Sequence, residues 1–242
     1  MMKHRMTIAS LVLVLITSAG CFAPQPDTEL TKAAAKSDST QVRTLLANGA
    51  DANRKDKNGY TALMHAARNG DVETMKALID AGADMNMRDC AVNGWPPLIH
   101  AIHKSNNQAV YLLLERGADV NIKAERCAVG VVKDGSTALM HAAGYDDDVL
   151  VRALLARGAD PYAGSGGATV FSNAVAGAWD IDRPFTDDCQ TTTVKALLEQ
   201  APDLKLPDNF WGASARFFVK HKGCSELVNL LEQRQQSAAK LN

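Results

Sequence analysis

Gly59-Tyr60-Thr61-Ala62-Leu63-Met64-His65-Ala66-Ala67 and Gly135-Ser136-Thr137-Ala138-Leu139-Met140-His141-Ala142-Ala143 are two copies of one phrase. A looser copy, Gly94-Trp95-Pro96-Pro97-Leu98-Ile99-His100-Ala101, stands between them. Each leading glycine is followed 23 residues later by Gly-Ala-Asp, at Gly82, Gly117 and Gly158, and another Gly-Ala-Asp stands at Gly49. These tripeptides are 33, 35 and 41 residues apart. Paired apolar residues recur at one phase: Leu45-Leu46, Leu78-Ile79, Leu113-Leu114 and Leu154-Leu155. Such self-similarity marks an array of small supersecondary units. The Ala-rich segment suits a helix packed closely on its neighbours, and the second segment carries an apolar face at helical spacing. The glycine after it takes a left-handed cap, and Asp-x-Asn then begins a turn. One helix pair cannot bury its own face, so stacking makes the core.

The phrase resembles the ankyrin repeat. The family pattern Gly-x-Thr-Pro-Leu-His-x-Ala-Ala is altered here, with His moved one place along in every copy. The resemblance implies an all-α solenoid of five to six helix-turn-helix repeats with finger loops. The array spans 27–233, with repeats at about 27–53, 56–88, 89–121 and 132–162. A fifth runs from Gly167 to about Ala201, and a degenerate cap ends near Gln233, leaving 234–242 as a frayed tail. Ser37 stands where a helix-turn glycine is usual. Extra residues fall in two fingers, around Cys90–Asn93 and Glu125–Val131, and between the helices of the fifth repeat, around Trp179–Phe185. In solenoids, insertions collect on one face and often mark the binding face.

The chain of 242 residues is 46% hydrophobic, 22% charged and only 5% aromatic, which excludes intrinsic disorder. With 26 Lys+Arg against 27 Asp+Glu, it lacks the basic excess that a general grip on nucleic acid needs. The 5 cysteines are an odd number to explain.

The N-terminus accounts for one of them. Lys3 and Arg5 precede an uncharged run, Met6 to Gly20, that is too short for a bilayer span and has the layout of a secretory signal. Ser18-Ala19-Gly20-Cys21 resembles the lipobox of bacterial lipoproteins, with Ser18 in place of the usual Leu. The resemblance implies removal of residues 1–20, acylation of Cys21 (palmitate among the chains) and anchoring by several acyl chains. The alternative is an ordinary secretory signal with Cys21 a plain thiol. Phe22 rather than Asp after the cysteine points to the inner leaflet of the outer membrane in that family. Residues 21–26 then form a short tether stiffened by Pro24 and Pro26.

The ankyrin resemblance orders the remaining cysteines. Cys90 and Cys127 fall in adjacent fingers, and Cys189 and Cys224 in adjacent helix-to-helix turns. Residues at one phase of neighbouring repeats are spatial neighbours, so the expected disulfides are Cys90–Cys127 and Cys189–Cys224, each contributing about 3–4 kcal/mol. A zinc site is the competing reading, but Cys-x-x-Cys is absent and the implied compartment is oxidising.

Chemistry-bearing candidates give way to structural readings. His65, His100 and His141 recur in phase, but helices stack roughly 10 Å apart while zinc–nitrogen bonds are about 2 Å, so the ladder shares no ion and its members read as hydrogen-bonded helix positions. Gly164-Ser165-Gly166-Gly167 lacks the Lys-Ser/Thr of a phosphate loop and reads as a flexible finger. Asp146-Asp147-Asp148 reads as carboxylates capping the next helix. Gly-x-Ser-x-Gly and His-Glu-x-x-His are missing, and no enzyme, cofactor or metal is expected.

Function therefore rests on the surface. Family partners dock on the concave face of finger tips and first helices, matched here by Lys57, Asn58, Tyr60, Arg68, Asn69, Val92, Asn93, Trp95, His103 and Lys104, then Lys133, Asp134, Ser136 and Tyr145. Trp179 and Phe185 in the long insertion form a second candidate. Aromatic residues there suit hot-spot anchoring, or alternatively cover the base of their own loops. The expected function is that of a periplasmic, lipid-anchored protein-binding module, monomeric when unbound and with no nucleic-acid partner. Lipid-tethered ankyrin proteins of this size resemble immunity proteins that neutralise an antibacterial effector, such as a secreted lipase. The alternative is an envelope scaffold protecting or organising a periplasmic protein, as in oxidative-stress defence.

Overall fold

The computed structural model describes residues 28–89, 93–125, 135–177 and 189–239. Among them lie helix pairs α1 (Glu29–Ala35) and α2 (Ser39–Ala47), α3 (Ala62–Asn69) and α4 (Val72–Asp80), α5 (Pro97–His103) and α6 (Asn107–Glu115), and α7 (Ala138–Gly144) and α8 (Asp148–Leu155). A two-stranded antiparallel hairpin, β1 (Gly164–Ser165) and β2 (Ala168–Thr169), leads into α9 (Val170–Ala176) and α10 (Thr191–Gln200); α11 (Phe210–His221) and α12 (Ser225–Ala239) end the array. The expected all-α ankyrin solenoid is what forms, with the hairpin as a small addition where a flexible finger was expected.

Local chemistry repeats with the fold. Thr28, Thr61, Thr137 and Thr169 each cap a first helix by accepting from the backbone N–H three residues on. The third repeat has Pro96 at that place and Pro97 as its first helical residue, whose fixed φ suits that position. Asp38, Asp71 and Asp147 cap the second helices in the same way, so the acidic run at 146–148 contributes a cap. The tight turn between the helices of a pair needs one left-handed residue: Gly70 takes φ 71° there, and Ser37, Ser105 and Asp146 adopt the same region at 59°, 56° and 58°.

First helices stack in one layer, α1 on α3, α3 on α5, α5 on α7, α7 on α9 and α9 on α11. Their small residues, Ala66, Ala67, Ala101, Ala142, Ala143 and Ala174, are fully buried, which permits the close approach. Second helices line the other layer and bury Val42, Met75, Leu78, Leu113, Leu154 and Leu197. A polar ladder ties the repeats along one edge. Asn53 Oδ1 accepts from Asp84 N (2.7 Å), Asn86 Oδ1 from Asp119 N (3.0 Å) and Asn121 Oδ1 from Asp160 N (2.9 Å). The Asn of each Asp-x-Asn turn therefore reaches the following repeat, a role beyond starting its own turn.

The C-terminal end departs from expectation. The degenerate cap is a full helix pair, and α12 continues past Gln233 to Ala239 where a frayed tail was expected. The stretch from Arg234 to Ala239 is composed of residues that tolerate helix well. The Cys189–Cys224 disulfide is formed, with Cα atoms 5.5 Å apart, and ties the start of α10 to the turn between α11 and α12. Cys21, Cys90, Cys127 and the insertion bearing Trp179 and Phe185 lie outside the described residues. No described helix is long and apolar enough to cross a membrane.

Candidate binding surface

The same backbone bond recurs at the base of three fingers: Asp56 N to Tyr60 O (2.8 Å), Asp89 N to Trp95 O (3.0 Å) and Ala124 N to Ser136 O (2.7 Å), the last doubled by Gly135 N to Ala124 O (2.6 Å). Inside the second finger, Asp56 Oδ1 accepts from Asn58 N and Tyr60 N (both 2.9 Å), while Oδ2 meets His65 Nε2 at 2.8 Å. In the third, Asp89 accepts from the amides of Asn93 (2.8 Å), Gly94 (3.1 Å) and Trp95 (3.2 Å) and from His100 Nε2 (2.7 Å). The side chains of Asp89 and His100 are 0% and 1% exposed.

Burial pushes the His100 imidazole below its ordinary range despite the opposing pull of Asp89, so it is neutral and donates Nε2–H. Burial would raise Asp89, but the bonds from His100 and from the Asn93 and Gly94 amides outweigh it and hold the carboxyl below its usual range. The fourth finger has Ala124 in place of aspartate, and His141 Nε2 turns to Ser136 Oγ at 3.1 Å. The in-phase histidines are hydrogen-bonded helix positions, as expected. Sequence reasoning did not single out Asp56 or Asp89; the available signal was an aspartate four or six places before each finger aromatic.

Above these bonds, rings from three repeats form a continuous line. Tyr60 lies 5.2 Å from His65 and 5.3 Å from His100; Trp95 lies 5.4, 5.0 and 5.2 Å from His100, His103 and His141. Tyr145 completes it at 6.3 Å from His103 and 5.9 Å from His141, and its hydroxyl is 3.0 Å from His103 Nδ1. Arg68 covers one end: its guanidinium donates to the Tyr60 hydroxyl at 2.9 Å and sits 5.2 Å from that ring's centre. Trp95 Nε1 is buried and has no acceptor among the described residues.

The expected contact residues divide by environment. Lys57, Asn58 and Lys104 are exposed, and Arg68, Asn93, Trp95 and Tyr145 are half-buried. Tyr60, His103 and Ser136 are buried and support the surface from beneath. Asn69 is exposed, yet its amide donates to Ala35 O (3.0 Å) and Ser37 Oγ (3.1 Å), joining α3 to the preceding repeat. Val92, Lys133, Asp134, Trp179 and Phe185 lie outside the described residues. One feature was missed entirely: Phe210 and Phe217 on α11 are 71% and 55% exposed. The signal was the dense run Phe210-Trp211 and Phe217-Phe218 in an aromatic-poor chain.

The Ankyrin repeats (3 copies) family matches residues 30–124, and a single Ankyrin repeat matches 134–165. The chain is an ankyrin-repeat protein. It is 40% identical over 72 residues to a human mitochondrial disaggregase, a match covering 28% of this chain and 10% of that protein. The bovine mitochondrial disaggregase is 39% identical over 72 residues, 28% and 11% of the respective lengths. YahD, an ankyrin repeat protein of Escherichia coli (strain K12), is 44% identical over 57 residues, 24% of this chain and 28% of that one. The chain thus spans less than a third of the length of these relatives. Ankyrin arrays are protein-binding modules. The contact between Ser136 and His141 lies at a buried finger base, with the Tyr145 hydroxyl 3.4 Å from the other imidazole nitrogen, and it belongs to the scaffold.

Proposed function

We propose that this ankyrin-repeat protein is a periplasmic, lipid-anchored binding module, and that its role is that of an immunity protein that neutralises an antibacterial effector. The observation that carries the binding reading is the ring line from Tyr60 to Tyr145. It joins three repeats into one preorganised face beside the exposed Lys57, Asn58 and Lys104. The buried rings of Tyr60, His100 and His103 hold the half-buried Trp95 and Tyr145 in place, and such preorder lowers the ordering cost of association. The compartment reading draws support from the signal-like run Lys3–Cys21 and from the Cys189–Cys224 disulfide, since such bonds persist in oxidising surroundings. Membrane attachment would come from acyl chains on Cys21.

Deletion of the gene should sensitise cells to one toxin encoded beside it, and the two purified proteins should bind one-to-one. Trp95→Ala should weaken that binding by at least ~2 kcal/mol while the fold persists. Unchanged affinity in the folded variant would remove the ring line from the contact. Recovery from envelope extracts of household enzymes alone, with no toxin sensitivity on deletion, would refute the immunity role in favour of a scaffold.

A further inference from the structure

The last repeat presents a face unlike the rest of the array. The buried side of α11 is Gly212, Ala215 and Val219. At 3.6 residues per turn, Phe210, Phe217 and His221 fall together on the opposite side. Phe210 is 71% and Phe217 is 55% exposed, and the Phe217 ring stacks on His221 at 3.8 Å. Lys220 flanks this ridge, while Arg216 and Lys222 lie about 120° round from it on either side, and α11 itself carries no Asp or Glu, the nearest acids being Asp208 before it and Glu226 after it. α11 turns two aromatic rings outward with a basic residue on their flank.

The ridge is also held in place at both ends. Asn209 Nδ2 donates to Gly167 O (2.8 Å) and Trp211 Nε1 to Gly166 O (2.9 Å), fastening the start of α11 to the β1–β2 hairpin. Its far end runs into the turn fastened to α10 by Cys189–Cys224. The rings therefore project from a fixed helix. They are not the frayed end of a mobile one.

We propose that α11 docks on an anionic lipid surface, with Phe210 and Phe217 seated among the headgroups and the long side chains of Lys220 and Arg216 reaching lipid phosphates. An apolar aromatic edge flanked by basic residues is the physical signature of a helix lying in the membrane interface. At 12 residues α11 lies on the bilayer and does not span it. A second copy of the chain fits poorly, because a symmetric contact would oppose the two sets of cations. The proposal is independent of acylation at Cys21 and of the concave ring line; with an anchored N-terminus it would lay the solenoid along the membrane.

The test places the photoreactive residue p-benzoylphenylalanine at Phe217 in the full chain, or at Val149, 62% exposed on α8, as a control. Each protein is irradiated on phosphatidylcholine vesicles with or without phosphatidylglycerol, and lipid adducts are read by mass spectrometry. Adducts at 217 should exceed those at 149 only when phosphatidylglycerol is present, and Arg216→Glu with Lys220→Glu should lower them roughly tenfold. Equal labelling at 217 and 149 would overturn the proposal. So would adducts at 217 to a second copy, or to an acidic protein when envelope extract is added, in place of lipid.

Discussion

Asp89 shows how much one side chain organises in a finger. Its carboxylate takes three amide donors and a neutral imidazole in a site that excludes water. Removing it leaves those donors buried without an acceptor. Asp89→Ala should therefore cost about 3–5 kcal/mol in urea unfolding. Asp56→Ala should cost less, because Asp56 holds two amides and a partly exposed His65. The pair of Asp89 and His100 also sets a pH dependence. His100 titrates below its ordinary 6.5 in the folded chain, so as pH falls below about 6.5 the unfolded chain gains a proton that the folded one resists. Asp89 adds stability above the ordinary carboxylate range that is lost as pH falls through its lowered folded value. Both signs agree: midpoint denaturant should decline from pH 7 to 5 and continue down below 4. His100→Gln should flatten the upper part of that decline; an unchanged slope would contradict a neutral buried imidazole.

At the scale of the element, the fingers separate two kinds of glycine. Gly94 has φ +71°, and a Cβ there would lie 2.2 Å from the carbonyl carbon of Glu125 in the neighbouring finger. Glu125 N donates to Gly94 O at 3.2 Å, so that close approach is itself a bond between repeats. Gly82 has φ +87° with nothing within 4 Å of the added atom. Gly82→Ala should cost only the left-handed strain, about 1 kcal/mol, whereas Gly94→Ala should cost at least ~2–3 kcal/mol, both by chemical denaturation. Equal losses would mean that the fingers separate freely. Glycine itself was legible in the sequence at both places. The distinction was not, because it depends on backbone arriving from a segment about thirty residues further on.

For the whole molecule, the array behaves as a chain of neighbours, and its ends are its weak points. The Cys189–Cys224 bond closes a separation of 35 residues across the last two repeats. Cys224→Ser should lower their stability by about 3–4 kcal/mol in the chain-entropy model. Hydrogen exchange should then quicken in α11 and α12 while α3 to α8 keep their protection. Uniform quickening would show a single cooperative unit. This pairing could be read from repeat phase, since one phase means one place in the stack. The aromatic ridge of α11 escaped such reading because the last repeat has lost the repeating phrase, and no neighbouring copy shows which side of its helix faces out.

The sequence by itself determined the repeat, the aspartate cap in the run 146–148, the place of Ser37 in a helix turn and, through repeat phase, the Cys189–Cys224 partnership. These depend on contacts within one repeat or on strict periodicity, both of which are local information. Tertiary structure alone decided that Asp56 and Asp89 hold the fingers to the histidines, and that Tyr60 lies beneath the surface while Trp95 lies partly within it. It also decided that Phe210 and Phe217 face outward. Burial is a property of what packs on a residue from elsewhere, and in a solenoid that is always the next repeat or its absence.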